Sequence, residues 1–354
     1  MKSAPSVARR HLDGGSKMVV VADFDFLCAK LHGMRSLLYE GERLEGLLKC
    51  RNLSEMYGEL FADHPFQSHL QFERELVSYH VATLHDLSEF LSGKTLALYT
   101  WLLRRYQIEN LKVILRHWAK KGDRAELERL LVDLPHSLSL PMDSILASPG
   151  LASLIPKIPH PLLQKGASLG AEPFERRGTA FFLETGLDKA YFTELYVLLQ
   201  RLHGTHSSGS APLVRLEVDI FNALLAFRGK LGYAVTAQDL EPFFAPGGKY
   251  LTPRLCGEIM GLDSFDEMLK QLPSGFLGSP KIEVTEIGDL ERVLSERLYR
   301  TASRQFYRSV SDFGKVLAFF HVKRAELTNL IRFAESLRYG HPPGAIRRFL
   351  LFLE

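Results

Sequence analysis

The side chains best suited to metal chemistry in this sequence are five residues in its first quarter. His85 and Asp86 are adjacent and could begin a metal site, and His64, His69 and His80 lie close together. Metal ligands normally recur at defined spacings, and no further His or Asp residue continues either pattern. We therefore expect structural or surface roles for these side chains and predict no metal site.

The sequence gives little indication of reactive cysteines or of a nucleotide-binding site. Cys28, Cys50 and Cys256 are odd in number and far apart, which argues against a disulfide framework or a zinc site and suits a reducing cytosol. No basic cluster near them suggests an activated thiolate. The sequence also lacks the GxxxxGK[ST], GxGxxG, HExxH and paired CxxC motifs. We predict a protein with no catalytic residues and no cofactor.

Basic residues gather in two parts of the chain and allow two interpretations. They are solvated helix faces, or they form a surface complementary to an acidic partner, which would aid register and association. The candidate partner-contact residues are Arg104, Arg105, Lys112, Arg116 and Arg228, and further basic residues follow at Lys120, Lys121, Arg347 and Arg348.

Length and charge limit the class of protein. The 354 residues suffice for two or three domains, and 46% hydrophobic with 24% charged residues indicates a folded, soluble chain. The formal net charge of +3 is too near balance to indicate a nucleic-acid binder. The apolar run from Met18 to Leu27 is interrupted by Asp23 and Asp25 and is shorter than the roughly 20 residues of a membrane span.

Three asparagines recur in helical patterns at nearly constant spacing. Asn110, Asn222 and Asn329 are separated by 222 − 110 = 112 and 329 − 222 = 107 residues. Apolar residues two before and one, four and five after each asparagine share one helix face. The asparagine lies about 110° from the centre of that face, where it can bond a neighbouring helix. An acidic residue precedes each asparagine and a glycine follows it: Glu109, Asp219 and Glu326, then Gly122, Gly232 and Gly340.

This pattern has a simple alternative explanation, because any amphipathic helix places apolar residues at such offsets. The asparagine, the acid, the glycine and the spacing together favour an internal triplication. We expect the glycines to form left-handed helix ends.

Helical periodicity dominates the whole chain, so we predict an all-α fold. The best strand candidate is KIEVTEI (residues 281–287), and GTHSSGSAP (residues 204–212) is expected to be a mobile linker. We predict a flexible leader over residues 1–17 and three similar helical domains over approximately 18–133, 134–240 and 241–354.

Several of these segments resemble one known family. They are CAKLHGMRSLLYEGERLEGLL (28–48), IENLKVILR (108–116), EVDIFNALLAFRGKLGY (217–233), APGGKYL (245–251) and KRAELTNLIRFAESLRYGHPPGAI (323–346). From about residue 26 to the end, the chain resembles the family of C subunits of V/A-type (vacuolar/archaeal-type) rotary ATPases, whose eukaryotic V-ATPase member is the d subunit. Departures from the family pattern are Lys30, Phe221, Ile331 and Glu335, the last standing where Arg116 and Arg228 stand in the other copies.

The resemblance implies a pseudo-threefold funnel of helical domains on the cytoplasmic face of a membrane. Its socket would receive the central stalk subunits of D/F type, and its base would sit on the proteolipid c-ring. A protein of this kind transmits torque for proton or sodium transport and carries no catalytic site. The alternatives are a helical adaptor unrelated to rotation, and an enzyme with an unfamiliar helical site.

Overall fold

The computed structural model describes residues 24–61, 66–280, 282–341, 346–347 and 350–351. The predicted leader over residues 1–17, His64 and Arg348 lie outside the described residues. Within these ranges all regular structure is helical and no strand occurs, which confirms the all-α prediction. None of the described helices is long and apolar enough to cross a membrane.

Sixteen α-helices follow one another along the described part of the chain. The first six are α1 (Phe24–Ser36), α2 (Gly41–Leu47), α3 (Leu53–Leu60), α4 (His69–Asp86), α5 (Gly93–Lys120) and α6 (Arg124–Leu130). The next six are α7 (Met142–Leu146), α8 (Leu151–Leu154), α9 (Pro161–Arg177), α10 (Phe181–Gln200), α11 (Gly204–Phe227) and α12 (Ala237–Leu240). The last four are α13 (Pro253–Met260), α14 (Phe265–Lys270), α15 (Ile287–Arg308) and α16 (Phe313–Arg338).

The three helices that carry the recurring asparagines, α5, α11 and α16, are the longest and form the centre of the packing. Each packs against the helix that precedes it and against the corresponding helix of the next third of the chain. These corresponding contacts are α5 with α10, α11 with α15, and α16 with α4, and α11 also packs directly against α16. Because α16 returns to α4, the last third of the chain packs against the first.

A buried aromatic cluster joins α5 to α16. The ring of Tyr99 lies edge-on to the rings of Phe313 and Phe320, with centroids 6.4 and 6.2 Å away. All three side chains are 0% exposed. Edge-to-face rings add to the stabilisation from burial alone, so this contact fixes how the two helices cross.

Residues near both chain ends share a separate hydrophobic core. Leu44, Tyr57 and Phe72 from α2, α3 and α4 pack with Leu330 and Phe333 from α16. All five side chains are less than 7% exposed. Because these apolar side chains are removed from water, their contact stabilises the packing of the first third of the chain against the last.

The prediction of a mobile linker over residues 204–212 is wrong, because these residues form the first turns of α11. A Cβ atom on Gly209 would lie 2.8 Å from Asp312 Oδ1 and 3.2 Å from Gly314 Cα. The hydroxyl of buried Ser210 donates to His206 O at 2.7 Å. The small residues therefore allow α11 to approach the start of α16 closely.

The prediction of a strand over residues 281–287 is also wrong. Residues 282–286 are irregular, and α15 begins at Ile287. The Asp289 carboxylate accepts hydrogen bonds from Thr285 N at 3.2 Å and Thr285 Oγ1 at 3.0 Å. This local bonding commits the segment to the start of a helix, in the way that side-chain oxygens satisfy free N–H groups there.

A residue in the left-handed conformation follows each long helix, as we expect. Only one of these three residues is one of the glycines predicted for this role. Gly340 has φ 69°, whereas the left-handed residues after α5 and α11 are Lys121 (φ 52°) and Ala234 (φ 49°). Their distances from the asparagines are 121 − 110 = 11, 234 − 222 = 12 and 340 − 329 = 11 residues. The extra residue in the middle third falls where a π-helical turn spans Arg228–Gly232, since a π-turn accommodates one more residue than an α-turn.

We predict that Lys121→Gly stabilises the protein. Lys121 is exposed and has steric strain in the left-handed region that glycine avoids. The free energy of unfolding in urea should rise by about 0.5–1 kcal/mol. The matched control Lys120→Gly, at the last residue of α5, should not raise it, because glycine there relieves no left-handed strain. A loss of stability in Lys121→Gly would contradict the left-handed helix end.

Candidate functional site

Each recurring asparagine makes the same two hydrogen bonds. Its side-chain amide donates to the C=O and accepts from the N–H of a single residue 22 or 23 positions downstream. The pairs are Asn110 with Val132 (2.8 and 3.1 Å), Asn222 with Ala245 (2.8 and 2.9 Å), and Asn329 with Leu351 (2.6 and 2.7 Å). The partner lies in irregular backbone after the long helix, so the expected bond to a neighbouring helix is wrong.

A polar side chain three residues before each asparagine also holds irregular backbone. Asp219 accepts hydrogen bonds of 2.8–3.1 Å from the N–H groups of Lys249, Tyr250 and Leu251. The equivalent residue of α16, Glu326, accepts from Tyr39 N at 2.8 Å. Two acidic residues of the predicted motif therefore bind main chain, in the same register relative to their asparagine.

The first third places an amide at this position. Gln107 Nε2 donates to Ser139 O at 3.2 Å, whereas Glu109 is half-exposed and bonds Lys112 at 3.1 Å. The acidic motif therefore predicts the wrong equivalent of Asp219 and Glu326 in Glu109. The offset of three residues identifies Gln107 as the structural counterpart.

The segments held in this way each begin the next third of the chain. Ser139 and Leu251 stand shortly before α7 and α13, and Tyr39 stands shortly before α2. Gln107 and Asp219 thus reach forward along the chain, while Glu326 reaches back to its beginning. The three contacts have a circular order.

The central charged cluster uses the residue five positions before each asparagine: Arg105, Glu217 and Arg324. Arg105 Nη1 lies 3.5 Å and Arg324 Nη1 2.8 Å from Glu217 Oε1. The Glu217 side chain is only 3% exposed. Equivalent positions of α5, α11 and α16 therefore converge, and one carboxylate between two guanidiniums keeps like charges apart.

Burial and charge have opposite effects on this carboxylate. Burial acts to raise the pKa of Glu217, but the charges of His321, Arg324 and Arg105 lower it overall. Burial also lowers the pKa of His321 to about 4, so this imidazole is neutral at pH 7. At neutral pH the two arginines, rather than His321 at 3.6 Å, therefore stabilise the ionised Glu217.

A cavity of about 530 Å³ opens beside this cluster between the long helices. Its described lining is mostly polar and contains neither His nor Cys. The charged residues that line it are Arg105, Glu109, Lys112, Arg116, Glu184, Asp188, Glu217, Arg228, Glu291, Arg324 and Arg332.

Four of the five predicted basic contact residues, Arg105, Lys112, Arg116 and Arg228, line the cavity. Arg104 does not belong to the lining; its Nη1 donates to Gln107 Oε1 at 2.9 Å. The four lining residues all have acidic partners within the chain. Sequence reasoning missed these acids, since nothing in the linear pattern indicates which helices become neighbours.

Lys112 shows how these partners offset the burial of a cation, although burial still raises the pKa of the Asp188 carboxyl overall. Its Nζ lies 2.6 Å from Asp188 Oδ1 and 3.1 Å from Glu109 Oε1. Burial acts to lower the pKa of the ammonium, but Asp188 and Glu109 raise it overall. Lys112 therefore remains charged and connects α5 to α10.

Two ion pairs at the cavity rim occupy equivalent positions six residues after an asparagine. Arg116 Nε lies 2.7 Å from Glu184 Oε1 and joins α5 to α10, which we call the first seam. Arg228 Nη2 lies 2.7 Å from Glu291 Oε2 and joins α11 to α15, the second seam. Glu335 stands at the corresponding position in the third seam, between α16 and α4.

Comparisons with known proteins agree with one another. A family model described as ATP synthase (C/AC39) subunit matches residues 27–349. The A-type ATP synthase C subunit of Methanosarcina barkeri is 24% identical over 257 residues, covering 70% of this chain and 68% of that protein. The Methanosarcina mazei protein of the same name is 25% identical over 260 residues, with the same coverage. That of Haloferax volcanii is 22% identical over 278 residues, covering 76% and 78%.

We predict that Asn222→Ala destabilises the fold by about 1–3 kcal/mol, because the buried N–H and C=O of Ala245 lose their partner. Asn110→Ala should cost less, since Val132 is partly exposed and water can replace the amide. Urea denaturation of both variants measures the difference. Equal stability of Asn222→Ala and the unmodified protein would refute the assigned role.

Removal of the central carboxylate should be more costly than removal of a rim carboxylate. Glu217→Ala leaves Arg105 and Arg324 facing each other and should lower the free energy of unfolding by about 3–5 kcal/mol. Glu184→Ala breaks the first seam, where Arg116 is half-exposed, and should cost at most about 1 kcal/mol. Similar losses in the two variants, measured by chemical denaturation, would show that Glu217 does not organise the centre.

Proposed function

Because the chain belongs to the ATP synthase (C/AC39) subunit family, we propose that it is a non-catalytic rotor subunit of a V/A-type ATPase or ATP synthase. In this role it joins the central stalk to the membrane proteolipid ring and transmits torque for proton or sodium transport. Its place would be peripheral, on the cytoplasmic face of the membrane. The predicted domains over 18–133, 134–240 and 241–354 would form the funnel.

The observation that carries this proposal is the polar cavity between equivalent faces of three long helices. A helix about 10 Å wide that rises about 5.4 Å per turn occupies roughly 420 Å³ per turn. The cavity of about 530 Å³ is of this order, so it has room for the tip of a helical stalk.

The walls of the cavity suit a mechanical contact. Arg105, Lys112, Arg116 and Arg228 each bridge from one long helix to a helix or residue of the next third of the chain. A tip that pushes sideways on one wall would load these cross-links as well as the apolar core. Binding partners would then be the central stalk subunits of D/F type above and the c-ring below.

The charged lining favours docking over catalysis. General acid–base or nucleophilic chemistry needs a reactive group with a free hydrogen-bonding position toward a substrate. The cavity carboxylates Glu184, Glu217 and Glu291 have cationic partners from neighbouring helices, although Glu217 Oε2 accepts no hydrogen bond from the described residues. We expect an inserted tip to exchange hydrogen bonds with these pairs.

The test is a pull-down of stalk and ring proteins from host membrane and cytosolic fractions, at low and moderate salt. The unmodified chain should recover both. The double variant Arg116→Glu/Arg228→Glu, which reverses two cavity charges, should recover at least about tenfold less stalk protein, since like-charge contacts cost several kcal/mol at an interface. Recovery of ring proteins should not change.

Arg254→Glu is the matched control, because Arg254 is 90% exposed on α13 and does not line the cavity. Circular dichroism and denaturation curves establish that all variants fold. Failure of the folded, unmodified chain to recover either partner would favour a helical adaptor unrelated to rotation.

A further inference from the structure

The third seam departs from the other two in its charges. Position six after the asparagine is Arg116 in the first seam and Arg228 in the second, each bonded to an acid of the next third. In the third seam it is Glu335, and the facing acid on α4 is Glu73. The cation that separates opposing helices in two seams is thus replaced by a second carboxylate.

A histidine completes this arrangement. His69 Nε2 lies 3.2 Å from Glu73 Oε1 and 3.2 Å from Glu335 Oε1. One ligand atom from each of the three residues lies within 4.8 Å of the others. Ligands about 2.0 Å from a tetrahedral zinc ion are separated by about 3.3 Å, so the two measured contacts match the edge of such a site.

The imidazole nitrogen is otherwise unused. His69 Nε2 is buried from solvent and forms no hydrogen bond with any described residue, although two carboxylate oxygens lie close to it. The His69 side chain is 16% exposed, against 26% for Glu73 and 35% for Glu335. A ligand could therefore enter from the carboxylate side while the imidazole closes the inner side.

We propose that His69, Glu73 and Glu335 form a divalent metal site that fastens the third seam between α16 and α4. One imidazole and two carboxylates suit zinc, with water at the fourth position, and related metals such as cobalt. His69 and Glu73 stand four residues apart on one face of α4, and Glu335 comes from α16. The ion supplies the positive charge that arginine supplies in the other seams.

Neighbouring groups compete with a metal ion for the two carboxylate ligands. Arg338 Nη1 lies 3.4 Å from Glu335 Oε1 and partly neutralises this ligand. The Glu73 carboxyl shares a hydrogen bond with Glu335, which a metal ion would replace. The sequence alone predicts only a structural or surface role for His69. It does not indicate a metal site, because Glu335 lies 266 residues away (335 − 69 = 266) and only folding brings it close.

The test titrates the full-length purified chain with zinc chloride by calorimetry and with cobalt chloride by visible absorption. We expect one equivalent to bind, with the intense visible bands of tetrahedral cobalt. Zinc should raise the melting temperature, because the folded chain binds it and the unfolded chain does not hold the three ligands together.

Glu335→Arg is the decisive variant, since it rebuilds the arginine–glutamate pair of the other two seams. It should remain folded, lose the cobalt bands and bind zinc at least about a hundredfold more weakly. His85→Gln removes a partly exposed histidine elsewhere on α4 and should bind as the unmodified chain does. Absence of stoichiometric binding by the unmodified chain, or unchanged binding by Glu335→Arg, would overturn the proposal.

Discussion

The amide of a buried asparagine can satisfy both the backbone N–H and the C=O of one residue, because it carries a donor and an acceptor side by side. Asn110, Asn222 and Asn329 each do this for one residue beyond their long helix. Returning segments that lack strand or helix partners would otherwise bury unsatisfied N–H and C=O groups, which proteins rarely tolerate. Each asparagine therefore allows the chain to turn back after a long helix, because it holds one residue of the returning segment against that helix. The packing of the long helices against one another depends on this constraint.

Other polar side chains on the long helices hold segments of the next third of the chain in the same way. Gln107, Asp219 and Glu326 hold the segments that begin the following third, and the last of them reaches Tyr39 near the start of the chain. Arg105, Glu217 and Arg324 converge from equivalent positions, with the acid between the two bases. In the proposed coupler, a circular set of contacts would distribute a sideways force from a stalk tip among all three long helices.

Local pattern predicted the all-helical content, since apolar periodicity decides helix against strand. It did not predict the contacts of Gly209 or the partners of the asparagines, because both depend on which distant segments meet. GTHSSGSAP has a linker composition, yet small residues equally suit a close helix crossing, and only the position of Gly314 decides between them. The basic residues of the cavity were recognisable as a group, whereas Glu184, Asp188 and Glu291 were not. An acidic motif also points to Glu109 in place of Gln107, because Gln107 donates to a carbonyl where Asp219 and Glu326 accept from N–H groups.

The central claim is that the cavity receives a stalk tip. A photocrosslinker attached at Thr328→Cys, a lining position, tests it in the assembled complex, because the native Cys28, Cys50 and Cys256 are buried. The account predicts a crosslink to a central stalk protein, and no such crosslink from the same label at Arg254→Cys on α13. A fully assembled complex in which the Thr328→Cys label crosslinks only within the chain would contradict it.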